Sequence, residues 1–229
     1  MSSADNNFQS ISLHPFINLH SHRKPQLENE LVVRNAFVTV QEKIAHISYP
    51  ISCGIHPWLI TNNFTEQLNQ LNELLVHVPN ICAVGECGLD KLKGPSIELQ
   101  LEIFHAHIEL ANHFYKPLIL HLVKTYSDFL HISKTIKVPF IVHGFKGNSI
   151  EAKQLIQKGA CLSFGPRLLN DVQLQETFTQ LPIEQIYLET DTKPISISDV
   201  YQKAATLKNL SIDALRTAIC NNFARDFNQ

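Results

Sequence analysis

PFINLHSH, residues 15–22, decides how the rest of the chain is read. An apolar, β-branched run ends in two histidines spaced two apart, and no glycine-rich turn follows. On a strand, residues two apart point to the same side, so His20 and His22 can hold one ion together. An open doubly wound sheet would place a glycine-rich phosphate turn here, and NLHSH (18–22) has none.

Working outward, short apolar runs recur with amphipathic stretches between them. The expected strands are Pro15–His20, Glu30–Val38, Ile51–Ile55, Ile81–Glu86, Leu118–His121, Phe140–His143, Ala160–Phe164 and Gln185–Glu189. The expected helices are Thr65–Val78, Ile97–Phe114, Ser127–Thr135, Ile150–Lys158, Asp171–Gln180, Ser198–Lys208 and Ser211–Asn222, with Ser198 and Ser211 as N-caps. Strand and helix alternate, which predicts a parallel sheet, and eight strands predict closure into a TIM-type (β/α)8 barrel. About ten residues join the first two strands and about twelve the next two. Such gaps leave little room for crossover helices, so the barrel is expected to be trimmed at the early crossovers.

The 229 residues, 44% hydrophobic, suit one barrel over 1–229, with 1–14 as a peripheral N-terminal segment. A net charge of -2 marks no global polyanion binder, so nucleic-acid contact would need a local basic rim. Lys91, Lys93, Lys124, Lys146 and Arg167 follow strand ends and are the candidates. No apolar run is long enough for a membrane span, and the polar start MSSADNNFQS lacks a signal core, so a cytoplasmic location is expected. The five cysteines are odd in number, form no CxxC pair and read as reduced thiols. Oligomeric state is not legible.

Barrel chemistry gathers at the C-terminal ends of strands. Those positions carry His20 and His22, His56, Glu86, His121, His143 and Asp191. Singly, each has an ordinary structural explanation: a hydrogen-bonded imidazole, a salt-bridged carboxylate, a turn cap. Jointly they would bury carboxylates at one mouth without neutralisation, which is costly and which a divalent cation relieves. His105 and His107 share the two-residue spacing but lie in a helical pattern, where such residues diverge, so no metal role is expected.

These motifs resemble the TatD family of metal-dependent deoxyribonucleases, within the amidohydrolase-like superfamily. NLHSH (18–22) resembles its D-x-H-x-H, GIHP (54–57) its G-x-H-P, and GECGLD (85–90) its G-E-x-G-L-D. KPLILH (116–121), HGF (143–145), LETD (188–191) and NNFARDF (221–227) follow in the family's order. The resemblance implies two divalent ions, zinc, manganese or magnesium. His20, His22 and Asp191 would bind one, His121 and His143 the other, and Glu86 would bridge them. Asp191 and Glu86 would be catalytic, and His56 and Lys124 would contact substrate. The implied reaction is hydrolysis of a phosphodiester, at DNA ends or in single strands, by a water activated between the two metals. A small ester or amide on the same metal site, or a non-catalytic metal-binding barrel, are the alternatives. The chain departs from the family's pattern at Asn18, where an Asp is usual, and at Val123, where an Arg is usual. It also departs in the short segment after Asp191.

Overall fold

The computed structural model describes residues 14–38, 44 and 47–227. The proposed N-terminal segment lies, up to residue 13, outside the described residues, as does most of the connection at 39–46. Eight strands form one sheet in sequence order, every adjacent pair parallel. They are β1 (Phe16–Ser21), β2 (Glu30–Phe37), β3 (Ile51–Gly54), β4 (Ile81–Asp90), β5 (Leu118–Val123), β6 (Phe140–Val142), β7 (Ala160–Phe164) and β8 (Ile186–Leu188). An isolated parallel bridge between Ser21 and Asp191 draws β8 to β1 and closes the barrel. The backbone N–H of Asp191 donates to the His20 carbonyl (3.0 Å), and the N–H of His22 donates to the Asp191 carbonyl (3.1 Å).

Helices α1 (Phe64–His77), α2 (Ile97–Phe114), α3 (Tyr126–Ile132), α4 (Ser149–Gln157), α5 (Val172–Thr179) and α6 (Ile197–Lys208) surround the sheet, and α7 (Ile212–Phe227) ends it. Residues 22–29, between β1 and β2, contain no helix, as their length requires. Six of the seven helices start one residue from the expected position, and two of these starts are instructive. Thr65 lies inside α1, and the turn before it is fixed by Gln67, whose side chain accepts from Thr61 N–H (3.0 Å) and donates to the Leu59 carbonyl (3.0 Å). The N-cap of α6 is Ser196, whose hydroxyl accepts from the N–H of Ser198. A serine two residues upstream offers the same chemistry, and the sequence does not rank the two. Ser211 does cap α7, accepting from Ala214 N–H (3.1 Å).

Alternation along the strands sorts the barrel interior. Val33, Ala83 and Ile119 form a small apolar cluster of their own, packed by Phe223 and Phe227 of α7. Two residues further along their strands come Asn35, Gly85 and His121, so the interior turns polar toward the C-terminal mouth. All five cysteines are free thiols. Among the described residues no helix is long and apolar enough to cross a membrane.

His105 is exposed and His107 is fully buried, the divergence expected of helical neighbours. His107 Nε2 accepts from the N–H of Ile55 (2.9 Å), so the proton sits on Nδ1, which donates to the Ile103 carbonyl (2.8 Å). The ring thereby anchors the chain one residue before His56. Burial lowers its pKa to about 4, against a small rise from the Ile103 bond. The folded state therefore holds a neutral ring that the unfolded chain protonates below about 6.5. The stabilisation is complete above that value and drains away as pH falls toward 4, by about 3 kcal/mol in all. At pH 7.5, His107→Leu is expected to cost about 1–3 kcal/mol by stranding the Ile55 N–H. In urea titrations that gap should shrink as pH drops from 7 to 4. A gap independent of pH would contradict the buried neutral ring.

Candidate metal centre

Two register shifts aim the central side chains. Between β4 and β5, Gly85 pairs with Ile119 and Cys87 with Leu120, leaving Glu86 as the extra residue of a bulge. Between β1 and β2, three steps from Asn18 to Ser21 match two from Val32 to Arg34, so β1 gains a residue beside His20. Bulges of this kind redirect a side chain and raise local twist. Close strand approach here depends on glycine. A Cβ on Gly85 (φ 146°) would lie 2.4 Å from the Ile119 carbonyl oxygen, and one on Gly88 (φ 139°) 2.2 Å from that of His121.

Glu86 is buried, and its two oxygens face different neighbours. Oε1 lies 2.7 Å from His121 Nδ1, 2.8 Å from His143 Nε2 and 3.1 Å from His56 Nε2. Oε2 lies 3.4 Å from His20 Nε2, 3.9 Å from His22 Nε2 and 3.4 Å from Asn35 Nδ2. Asp191 Oδ1 completes that second side, 3.5 Å from His22 and 3.8 Å from His20. Asn35 also accepts the Glu86 backbone N–H (3.0 Å), fixing the bulge. Burial would raise the Glu86 pKa. The His143 charge and hydrogen bonds from His121 and His143 outweigh it and hold the carboxyl well below the usual range. Burial likewise opposes a charge on His143, yet Glu86 and Glu189 raise its proton affinity well above the ordinary value. Two buried carboxylates thus set up a field that favours cations.

The donor set fits divalent ions. Ligand atoms group as His20, His22 and Asp191; as His20, Glu86 and His143; and as His56, Glu86 and His121, each within 4.8 Å. All six sequence-predicted ligands therefore meet at one mouth. His20 is fully buried with neither ring nitrogen hydrogen-bonded, a cost that an ion shared with Asp191 or Glu86 removes.

Hydrogen bonds on the outer ring nitrogens separate the histidines by role. His121 Nε2 meets buried Asp90 Oδ2 (3.1 Å), and His143 Nδ1 meets buried Glu189 Oε1 (3.4 Å). A carboxylate on the outer nitrogen fixes the tautomer that leaves the inner nitrogen free to ligate. His56 is the opposite case. Its Nδ1 accepts the N–H of Trp58 (3.0 Å), so in the neutral ring Nε2 carries the proton and points it into the site. In that tautomer His56 offers the site a hydrogen-bond donor rather than a ligand atom.

The sequence by itself assigns no separate role to Asp90, Glu189 or Asn35. Their motifs or strands were visible, but their partners come from other strands. Asn18 is a support at the seam: Nδ2 donates to Glu30 Oε1 (2.8 Å) and Thr190 Oγ1 (2.9 Å), and Oδ1 accepts from Thr190 N–H (3.0 Å). An Asp could not make the two donations. Lys124 (φ 58°) does not line the cleft of about 500 Å³ above the cluster; Trp58, Leu92, Lys93, Val123, Lys146 and Asp191 do. It lines an adjoining groove of about 580 Å³ with Lys146 and Arg167. Arg167 is paired with Asp171 and Lys91 with Asp128, so Lys124 and Lys146 carry the more available charge.

The family model described as TatD related DNase matches residues 28–228. The Escherichia coli K12 metal-dependent hydrolase YcfH is 28% identical over 195 residues, covering 77% of this chain and 72% of its own. A TATDN1 homologue of Vairimorpha ceranae, named as a deoxyribonuclease, is 27% identical over 195 residues, with 74% and 71% covered. Among solved structures, the TatD homologue YjjV from E. coli superposes with a TM-score of 0.78 at 22% identity, covering 93% of this chain and 98% of that one.

The contrast between outer-nitrogen partners gives a direct test. His121→Ala and Asp90→Ala should weaken divalent-ion binding, the latter by roughly 10–100-fold as expected for loss of a supporting carboxylate. His56→Ala should leave affinity within about twofold, a smaller effect than loss of even a supporting group. Calorimetric titration with zinc or manganese checks this. Equal losses for His56 and His121 would contradict the tautomer assignment.

Proposed function

The chain belongs to the TatD-related DNase family, a family of metal-dependent hydrolases, and on that premise we propose that it cleaves phosphodiester bonds, with DNA ends or single strands as substrate. One observation carries this reading: the two oxygens of Glu86 face different histidines, Oε1 meeting His121 and His143 and Oε2 facing His20, as a carboxylate bridging two ions would. We read the whole chain as one catalytic unit, located in the cytoplasm, where its five free thiols stay reduced.

A divalent pair bound there would supply charge neutralisation at the phosphoryl group and lower the pKa of an attacking water. The chain's own residues do the rest. His20, His22 and Asp191 hold one side, and His121 and His143 the other. Asp191, with its side chain 38% exposed toward the cleft, takes the proton from water. His56 directs its Nε2 proton at a phosphoryl oxygen. Lys146, which lines both cleft and groove, draws the polyanion across the mouth. Lys124 extends that attraction into the groove and offers a point charge near Val123.

With added manganese the protein should hydrolyse a single-stranded oligonucleotide, and chelator should abolish the activity reversibly. Asp191→Asn should lower turnover by roughly 10²–10⁴-fold, the range for loss of a general base. Its melting temperature should hold or rise, because a carboxylate near Glu86 is neutralised. Turnover and melting temperature measured on one preparation check both. Full activity in chelated protein, or rapid turnover of small esters with phosphodiesters untouched, would overturn the reading.

A further inference from the structure

Trp58 is the chain's only tryptophan and stands 43% exposed at the edge of the metal-ligand cleft. A large aromatic left in water at a functional cleft invites a ligand explanation. The ring is also held in place. Its Nε1–H donates to Asp90 Oδ2 (2.7 Å), the same oxygen that meets His121 Nε2. The other Asp90 oxygen accepts the N–H groups of Leu92 (2.7 Å) and Lys93 (3.1 Å). One buried carboxylate therefore fixes the indole, the loop beside it and an imidazole of the cluster. His56 and His121 lie edge-to-face with the indole at 4.7 and 5.5 Å, which sets the ring directly beside the Glu86 cluster. Exposed Leu92 adds apolar surface to the same cleft. The ammonium of exposed Lys93 lies 3.7 Å from the indole centroid. An exposed cation–π contact is weaker than base–aromatic stacking, so an arriving base can displace the ammonium toward a phosphate.

We propose that Trp58 is a stacking platform for the base of a nucleotide whose phosphate sits over the Glu86 cluster, with Lys93 as its displaceable cover. The proposal rests on the phosphodiesterase reading above and adds a base-binding site to it. Stacking tolerates every base, because each has a π-face, so it confers preference for unpaired nucleotides rather than for a sequence.

Fluorescence from the single tryptophan reports on this ring alone. The manganese-loaded full-length protein is titrated with dAMP and, separately, with 2-deoxyribose 5-phosphate, with calorimetry in parallel. We expect dAMP to quench the fluorescence and to bind about tenfold or more tightly than the baseless phosphate. Trp58→Leu should erase the preference and Trp58→Phe should retain most of it. Equal affinity of the wild-type chain for the two ligands, or a preference that survives in Trp58→Leu, would overturn the platform. The wild-type comparison stands whether or not either variant folds. A base preference in a protein that hydrolyses no oligonucleotide supports the platform and contradicts the phosphodiesterase reading; oligonucleotide hydrolysis without base preference does the reverse.

Discussion

One buried carboxylate organises the mouth of this barrel. Glu86 has three imidazoles against one oxygen and two against the other, and the second side is closed by Asp191. A buried anion is tolerable only when paired and hydrogen-bonded. The surrounding chain meets that demand with residues from β1, β2, β4 and β5 and from the turns after β3 and β6. Gly85 brings β4 close to β5, the bulge turns Glu86 inward, and Asn35 holds the bulge from the next strand but one. Around this centre, Asp90 and Glu189 each fix one histidine from behind.

Closure of the barrel and assembly of the site are the same event. Asp191 provides the backbone groups that join β8 to β1, and its carboxylate faces His20 and His22. Asn18 and Thr190 stitch the same seam one layer below. A change that loosens the seam therefore moves a candidate ligand. This coupling explains why an amide at position 18 is accommodated: Glu30 on the neighbouring strand supplies the acceptor that the amide needs.

Much of this was legible in the sequence for a physical reason. Strand-end positions converge in a closed barrel, so histidines and carboxylates at six strand ends had to meet once closure was granted. The i, i+2 spacing of His20 and His22, and the helical divergence of His105 and His107, follow from backbone periodicity alone. What stayed hidden depends on pairing between distant segments. The bulge at Glu86 is a register difference between β4 and β5. The tautomer of His56 is set by a backbone N–H two residues on, in a turn whose shape the sequence does not display. Asp90 stood in plain view in GECGLD, but its bonds to Trp58 and His121 arise only when β4 continues four residues past Glu86. The displaced cap from Ser198 to Ser196 is the ordinary uncertainty of helix ends.

The central claim is that Glu86 bridges two ions held by opposite groups of ligands. Anomalous scattering from crystals grown with manganese tests it most directly. The account predicts two peaks about 3.5–4 Å apart flanking the Glu86 carboxylate, one against His20, His22 and Asp191 and the other against His121 and His143, with His56 outside both coordination shells. A single peak, or a peak ligated by His56 Nε2, would contradict it.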